Sequence, residues 1–324
     1  RSPRITVAMP VFNGSRFLAT AIDSILAQSC DDFELIIADD GSTDGSRAIA
    51  RARAGRDRRI VLVHGEHGGI PVALNRALGL ARGEYFAPMD QDDVALPARL
   101  AVEAAYLDAH PDTVVVGGSA TIIDDSGAVL KDKHYPTEPE AVAAAMHRAC
   151  AILHPASMMR TDAARRIGGY RGALPFAQDY DLWLRLMEAG DVANLADIVL
   201  MKRIHAGQVT STRAQRPMQV VAGAVAYLSR LARSVRGEDF VGDGRQLLAA
   251  ATDFIDFYLS RDEAMSADDF HHLARFMRYA PIERSVDRRV GHPYRAYLGR
   301  SFRQGGARDG VRSAAYVSSF LLYN

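Results

Sequence analysis

Residues 33–44 read Phe33-Glu-Leu-Ile-Ile-Ala-Asp-Asp-Gly-Ser-Thr-Asp44. A short apolar run ends in three acids around a glycine. Such a run, bounded by turn chemistry, predicts a strand buried on both faces. Gly41 permits a sharp turn, and Ser42, Thr43 or Asp44 can cap a following helix. Capping accounts for Asp44. Asp39 and Asp40, at the strand end itself, exceed what a cap needs.

Outward from this stretch two periods alternate. Ile5–Phe12 is an apolar run closed by the turn signal Asn13-Gly14. Phe17, Leu18, Ala21, Ile22, Ile25 and Leu26 then repeat at helical spacing. Beyond Asp44 the pattern predicts a helix over 46–54, a strand over 60–63, a helix over 70–81 and a strand over 85–89. A further helix over 97–109 has Pro97 in its first turn. Strand–helix alternation with short connections predicts an α/β fold with a mostly parallel sheet covered by helices on both faces. Ligands of such sheets bind at the carboxyl ends of strands. From 112 the pattern becomes α+β, with strands expected at 113–116 and 120–123, helices at 140–147 and 179–189, and a strand within 195–205. Helical segments at 218–233, 246–259 and 267–279 then predict a separate C-terminal helical region. The expected domains are therefore 1–212 and 213–324.

The 324 residues are too many for one typical core and suit two units. A formal net charge of zero gives no reason to expect a polyanionic partner, so nucleic acid is not expected. The two cysteines, Cys30 and Cys150, have neither the number of a disulfide framework nor the spacing of a metal site. They read as reduced thiols in a reducing, cytoplasmic compartment. The chain enters a strand-like run almost at once, with no signal peptide expected. No apolar stretch reaches the roughly 18 residues of a membrane span.

A second acidic segment, Asp90-Gln-Asp92-Asp93, also falls at a strand end. Alternate residues of an extended chain share a face, so Asp90 and Asp92 can point together. Crowded like charges call for a cation. Mg²⁺ or Mn²⁺ is held by one or two carboxylates plus substrate phosphates. A solvated turn capping the next helix is the plainer reading of such a cluster. Asp179 and Asp181 open an amphipathic helix, where the helix dipole favours carboxylates. There is no G-x-G-x-x-G after the first strand and no G-x-x-x-x-G-K-[ST] anywhere.

Val7-Ala-Met-Pro-Val-Phe-Asn13 followed by Ala38–Asp44 resembles the opening of the family 2 glycosyltransferases of GT-A fold. His67-Gly-Gly-Ile-Pro-Val-Ala-Leu-Asn75, Ala81–Asp93, Gly168-Gly-Tyr170, Gln178–Arg185 and Arg203-Ile-His205 continue it in family order, over roughly residues 4–212. Each motif is weak alone and the set is specific. The resemblance implies a nucleotide pocket from Pro10, Phe12, Asn13, Asp39, Asp40, Asn75, Asp90 and Gln91. It implies a metal–diphosphate motif from Asp90 and Asp92, with His205 as a further ligand, and Asp179 as catalytic base. The acceptor side falls to Gln178, His154 and Trp183, although Trp183 on its amphipathic helix reads first as a core residue. Gln178 departs from the glutamate usual before the base, and Leu74 from the arginine usual before Asn75.

The reaction so implied is inverting transfer from a nucleotide-sugar, UDP-linked by expectation, to a hydroxyl of a saccharide or lipid-linked saccharide, assisted by Mn²⁺ or Mg²⁺. The setting it suggests is cell-surface polysaccharide synthesis. The arginines and aromatics after Arg284 suit either contact with an anionic membrane at its inner face or packing in a homo-oligomer. A sugar-phosphate nucleotidyltransferase would also want a carboxylate–metal site, but with a basic glycine-rich loop after the first strand. Here no basic residue precedes Arg16 in that loop. A non-catalytic glycan-binding module would have no need of Asp90, Asp92 and Asp179 together.

Overall fold

The computed structural model describes residues 2–174, 176–208, 216–242, 247–260 and 266–279. The chain divides into two compact units, Arg1–Arg213 and Ala214–Asn324.

The first unit begins β1 (Ile5–Val11), α1 (Leu18–Leu26), β2 (Phe33–Asp39), α2 (Ser46–Ala54), β3 (Ile60–His64), α3 (Ile70–Leu80) and β4 (Tyr85–Pro88). It continues β5 (Val94–Ala95), α4 (Arg99–Ala109), β6 (Thr113–Ile123), β7 (Val129–Lys133) and α5 (Pro139–Met146). After a 3₁₀ turn at His154–Ala156 come β8 (Ser157–Arg160), α6 (Thr161–Arg166), α7 (Gln178–Leu186) and β9 (Asp191–Arg203). All nine strands join one sheet of order β3-β2-β1-β4-β8-β6-β9-β5, with β7 on β6.

Every residue of β2 is buried, and all of β1 except Pro10. Ile5, Val7, Met9, Leu35 and Ile37 face one side, where they meet Leu18, Ile22 and Ile25 of α1 and Leu100 and Leu107 of α4. α3 packs against β1 and β2. Each such aliphatic side chain stabilises the fold by about 1.5–3 kcal/mol when fully buried. That is why a run without polar alternation settles in the middle of the sheet.

The ladders among β3, β2, β1 and β4 are parallel, and so is β6–β9. β8 enters antiparallel between β4 and β6, and β5 and β7 are antiparallel edges. Parallel direction carries Val11, Asp39, His64 and Pro88 to the same edge of the sheet. Both acidic segments thus leave the sheet on one side, as expected for strand carboxyl ends.

The two strands expected at 113–116 and 120–123 are one strand. Gly117-Gly118, which reads as a break, lies inside it because the neighbouring chain comes too close for a side chain. A Cβ on Gly117 would meet Asn194 Oδ1 at 2.2 Å, and one on Gly118 would meet Val199 Cγ2 at 2.4 Å. The short elements β5, β7, β8 and α6 carry no periodic signal of their own and are set by their partners in the sheet.

The second unit contains α8 (Arg216–Arg236), α9 (Leu247–Ser260) and α10 (Ala267–Tyr279). Asp269 of α10 accepts hydrogen bonds from the Tyr227 hydroxyl of α8 (2.9 Å) and the Tyr258 hydroxyl of α9 (3.0 Å). Tyr227 also stacks on His272 with centroids 3.9 Å apart. The basic, aromatic stretch after Arg284 lies outside the described residues. Among the described residues no helix is long and apolar enough to cross a membrane.

Candidate active site

The loops after β1 and β2 are knitted into one rim. Asn13 takes a positive φ of 49°, a conformation asparagine tolerates. Its Oδ1 accepts the Thr43 N–H (2.8 Å), and its own N–H goes to Ser42 Oγ (3.1 Å). Asp44 accepts from the N–H groups of Ser15 and Ser46, the capping role expected of it. Desolvation works against the Asp44 carboxylate, but these bonds outweigh it and hold its pKa well below the usual range.

Asp39 is buried and turned inward. It accepts from the Ser42 N–H at 3.2 Å and from Arg47 Nε at 2.5 Å, with His64 Nδ1 at 3.4 Å. Burial alone would raise its pKa; Ser42 and Arg47 reverse this and keep it below the ordinary value. The expected nucleotide contact at Asp39 therefore gives way to a structural one.

Asp40 holds the loop before α3. Its carboxylate takes the N–H groups of Gly68 (3.0 Å) and Gly69 (2.7 Å), with Arg76 Nη1 at 3.2 Å and His67 Nδ1 at 3.0 Å. His67 in turn stacks on Phe12, centroids 4.1 Å apart at 27°. Phe12 is 42% exposed, so this stacked pair offers an aromatic surface beside Asp40 and Pro10.

Gln91 ties this rim to the second acidic turn. Its Oε1 accepts the Phe12 N–H (3.0 Å) and its Nε2 donates to the Phe12 carbonyl (3.1 Å). Asn75 does likewise for a different backbone: Nδ2 donates to Tyr170 O (2.7 Å) and Oδ1 accepts from Tyr170 N (2.9 Å). A side chain so engaged fixes the 168–170 loop.

In the second turn, one carboxylate oxygen each of Asp90, Asp92 and Asp93 lie within 4.8 Å of one another. Asp93 is 1% exposed. Its Oδ1 accepts the Arg203 N–H at 2.8 Å, whereas Oδ2 has no hydrogen-bond partner. Burial raises its pKa to about 8 against the pull of Lys202, and Asp90 and Asp92 add to the rise. Lys202 Nζ lies 3.7 Å from Asp90 and 3.8 Å from Asp93. Burial opposes the lysine's charge, but Asp93, Asp90 and Asp92 outweigh it and raise its pKa. Arg203 locks the turn's backbone through Asp92 O (3.0 Å) and Asp124 O (3.0 Å), and its guanidinium lies over Phe17.

His205 Nε2 lies 2.7 Å from Asp92 Oδ2, and its Nδ1 accepts the Gly207 N–H at 3.2 Å. That second bond puts the ring proton on Nε2, aimed at Asp92. In this arrangement His205 orients Asp92, a candidate metal ligand.

Three hard oxygen donors, one of them buried and unpaired, fit Mg²⁺ or Mn²⁺ and do not resemble a site for a soft metal. Beneath them Arg99, fully buried, donates to Pro88 O (2.9 Å) and Ser157 O (3.1 Å) and pairs with Glu103 (3.3 Å). It pins β4 to β8 directly below the acidic turn.

Asp179 is half-buried in the first turn of α7, where its Oδ1 accepts the Tyr180 N–H at 2.8 Å. Phe176, just before, has a φ of 73°, a strained value for an aromatic residue. Gln178 is half-buried beside Asp179. His154 is buried, with Nε2 2.9 Å from the Tyr170 hydroxyl. Desolvation lowers the His154 pKa, and the charges of Asp90 and Asp179 both act against that. The Tyr170 phenol is raised by burial and then by Asp179 and Asp90. Asp179 and the second acidic turn thus converge on one His154–Tyr170 pair.

Trp183 is wholly buried, at 0% exposure, and tilts against His154 with centroids 5.9 Å apart. It is a core residue behind His154 and presents no surface to an acceptor, so of its two readings the core one holds. Lys202, Arg99 and Tyr170 had no assigned role from sequence. Lys202 carried a usable signal, a lone lysine beside Arg203-Ile-His205, and Tyr170 another, as the last residue of the Gly168-Gly-Tyr170 motif.

Residues 6–168 match the family model described as Glycosyl transferase family 2. EpsE of Bacillus subtilis (strain 168), which carries a glycosyltransferase name, is 36% identical over 192 residues, covering 58% of this chain and 68% of that protein. The O-antigen biosynthesis glycosyltransferase WbnJ of Escherichia coli is 33% identical over 205 residues, 62% of this chain and 80% of WbnJ. In fold the chain is similar to S. aureus TarS 1-349, solved in complex with UDP-GlcNAc. The TM-score is 0.61 at 18% identity, over 93% of this chain and 92% of TarS 1-349.

Proposed function

This chain belongs to the family 2 glycosyl transferases, and from that premise we propose that it is an inverting transferase in which Asp179 and the Asp90–Asp93 turn act on one substrate. The observation that carries this reading is the Asp90–Asp92–Asp93 cluster, with carboxylate oxygens within 4.8 Å of one another and Asp93 Oδ2 unpartnered, whose charge together with that of Asp179 acts on the His154–Tyr170 pair. A base and a leaving-group site must flank one anomeric carbon, and these acids come from distant parts of the chain.

The donor is a nucleotide-sugar, UDP-linked in this proposal. Its base lies on the Phe12–His67 stack beside Pro10, with a ring N–H directed to Asp40. The contact of Asp40 to exposed His67 is the one such a donor can replace. The bonds from Gly68, Gly69 and Arg76 keep the carboxylate in place. Asp90 and Asp92, joined by Asp93, would hold Mn²⁺ or Mg²⁺, which when bound neutralises charge on the diphosphate. Arg203 and His205 keep those carboxylates oriented.

Asp179 accepts the proton of the acceptor hydroxyl as its oxygen attacks C1. The new O–C1 bond forms while the bond from C1 to the diphosphate oxygen breaks. One displacement inverts the anomeric centre and needs no enzyme nucleophile. A positioned base contributes about 10²–10⁴-fold. The acceptor is a saccharide or lipid-linked saccharide of surface-polysaccharide synthesis, met by Gln178 on a wall backed by His154. The relationship to WbnJ supports that setting. The placement in this proposal is cytoplasmic, at the inner membrane face.

The test is UDP release from a panel of UDP-sugars with Mn²⁺ and a glycan acceptor, for the wild type and Asp179→Asn. The variant should lose turnover by about 10²–10⁴-fold while binding UDP as before. Near-normal turnover would remove Asp179 as base. Diphosphate released from a nucleoside triphosphate and a sugar phosphate would replace the reading with nucleotidyl transfer.

A further inference from the structure

Lys202 is the penultimate residue of β9, paired in register with Ile122. Its root is fixed, because the next residue, Arg203, bonds Asp93, Asp92 O and Asp124 O. Its ammonium stands at nearly equal range from Asp90 Oδ2 and Asp93 Oδ2, 3.7 and 3.8 Å. Both separations exceed a hydrogen bond. Lys202 therefore neutralises two carboxylates while committing an N–H to neither. Asp93 Oδ2 is left buried and without a hydrogen-bond partner. A native site seldom leaves an ionisable oxygen so placed unless something else completes it.

The choice of residue adds to this. The chain has three lysines against 36 arginines, and the other two, Lys131 and Lys133, lie exposed on β7. Other buried carboxylates of this unit are held by arginine: Asp39 by Arg47, Asp40 by Arg76, Glu34 by Arg82, Asp181 by Arg185. An arginine fork makes a fixed pair. A lysine is a point charge on a flexible stem, able to pass from one anion to another.

We propose that Lys202 holds the place of the divalent cation between Asp90 and Asp93 in the nucleotide-free protein, and turns to the donor's diphosphate when cation and nucleotide enter together. This rests on the reading of Asp90–Asp93 as the diphosphate end of the site. One ammonium among three carboxylates weakens their pull on a free cation. The diphosphate supplies negative charge again and gives the lysine a new anion. The cation alone is then a poor ligand, and the cation–nucleotide pair a good one.

The test uses the full chain and two variants. Lys202→Met keeps the length of the stem and removes the charge; Lys202→Arg keeps the charge. Mn²⁺ binding without nucleotide is read by electron paramagnetic resonance. UDP and UMP binding with Mn²⁺ are read by calorimetry. Lys202→Met should bind free Mn²⁺ about tenfold more tightly or better. It should also lose about tenfold in UDP affinity and little in UMP affinity, since UMP has no second phosphate. Lys202→Arg should keep free Mn²⁺ binding near the wild-type level. Unchanged or weaker Mn²⁺ binding by Lys202→Met, or equal losses for UDP and UMP, would overturn the proposal. If wild type bound neither nucleotide, the donor reading would fall, and the Mn²⁺ titration would still decide the role of Lys202. Lys202→Gln replaces the methionine variant should that one lack a cooperative melt.

Discussion

Two acidic turns leave the same edge of the sheet, and they differ in what their carboxylates touch. At the end of β2, Asp39, Asp40 and Asp44 take N–H donors from Ser15, Ser42, Ser46, Gly68 and Gly69, and cations from Arg47 and Arg76. At the end of β4, Asp90, Asp92 and Asp93 take one backbone N–H, from Arg203 to Asp93, and share one lysine beyond hydrogen-bonding range and one histidine, and a buried oxygen stays unpaired. The first turn uses its charge to shape a pocket. The second holds its charge in reserve, and that reserve is what a cation and a diphosphate can meet. Density of acids in a sequence does not separate the two cases; the supply of donors around them does.

The largest expected effect falls on the support beneath the open turn. Arg99→Met should destabilise the protein by about 3–5 kcal/mol, since it leaves Pro88 O, Ser157 O and Glu103 without their buried donor. Chemical denaturation measures it, and a loss under 1 kcal/mol would mean that the turn needs no such support. Next in size, Asp92→Ala should reduce transfer by about 10²-fold or more with little change in denaturation midpoint. Asp39→Ala should do the reverse. It removes the acceptor for Arg47 and the Ser42 N–H and should cost about 2–3 kcal/mol of stability. Transfer should fall less than in Asp92→Ala. Should Asp39→Ala prove the more damaging to transfer and the milder to stability, the contrast between the turns collapses.

The parallel half of the fold was legible because β1 and β2 are buried on both faces apart from Pro10 and are mostly apolar, so the run itself names the strand. Legibility failed at Gly117-Gly118, where a contact across the sheet overrides the local signal, and at β8, which exists only as a partner of β4 and β6. In the site, Asp90 and Asp92 lie together with Asp93 in the turn after β4, and Gln91 between them is bonded to the Phe12 backbone. Asn75 and Asp39 fit the same motifs, yet their donors and acceptors are taken up by Tyr170 and Arg47. Sequence spacing carries which residues are near; it does not carry which of them are already bonded. Trp183 shows the same limit, since an amphipathic helix does not say how far its apolar face sinks. Arg99 was hidden altogether, because an arginine in a first turn reads as solvated and this one is wholly buried.

The smallest effect concerns the Arg99–Glu103 pair under the open turn. Burial pushes Glu103 up to about 7 against the opposing pull of Arg99. The sign follows from proton count. Between its unfolded value, 4.5, and about 7, the folded protein retains a proton that the unfolded chain releases. Stability contributed by this group is therefore full below the unfolded value and falls as pH rises through the window. Between pH 5 and pH 7 the fall should be about 2 kcal/mol. Glu103→Gln cannot ionise, and its Oε1 can still face Arg99 Nε. Its stability profile should lack that fall while keeping the acid-side loss that Asp39 and Asp44 impose, since their lowered values favour the folded state only while they are charged. Denaturation midpoints of both proteins across this window make the comparison. Parallel profiles would mean that Arg99 keeps Glu103 ionised throughout, and that the open turn rests on a permanent ion pair and not on a neutral acid beside a guanidinium.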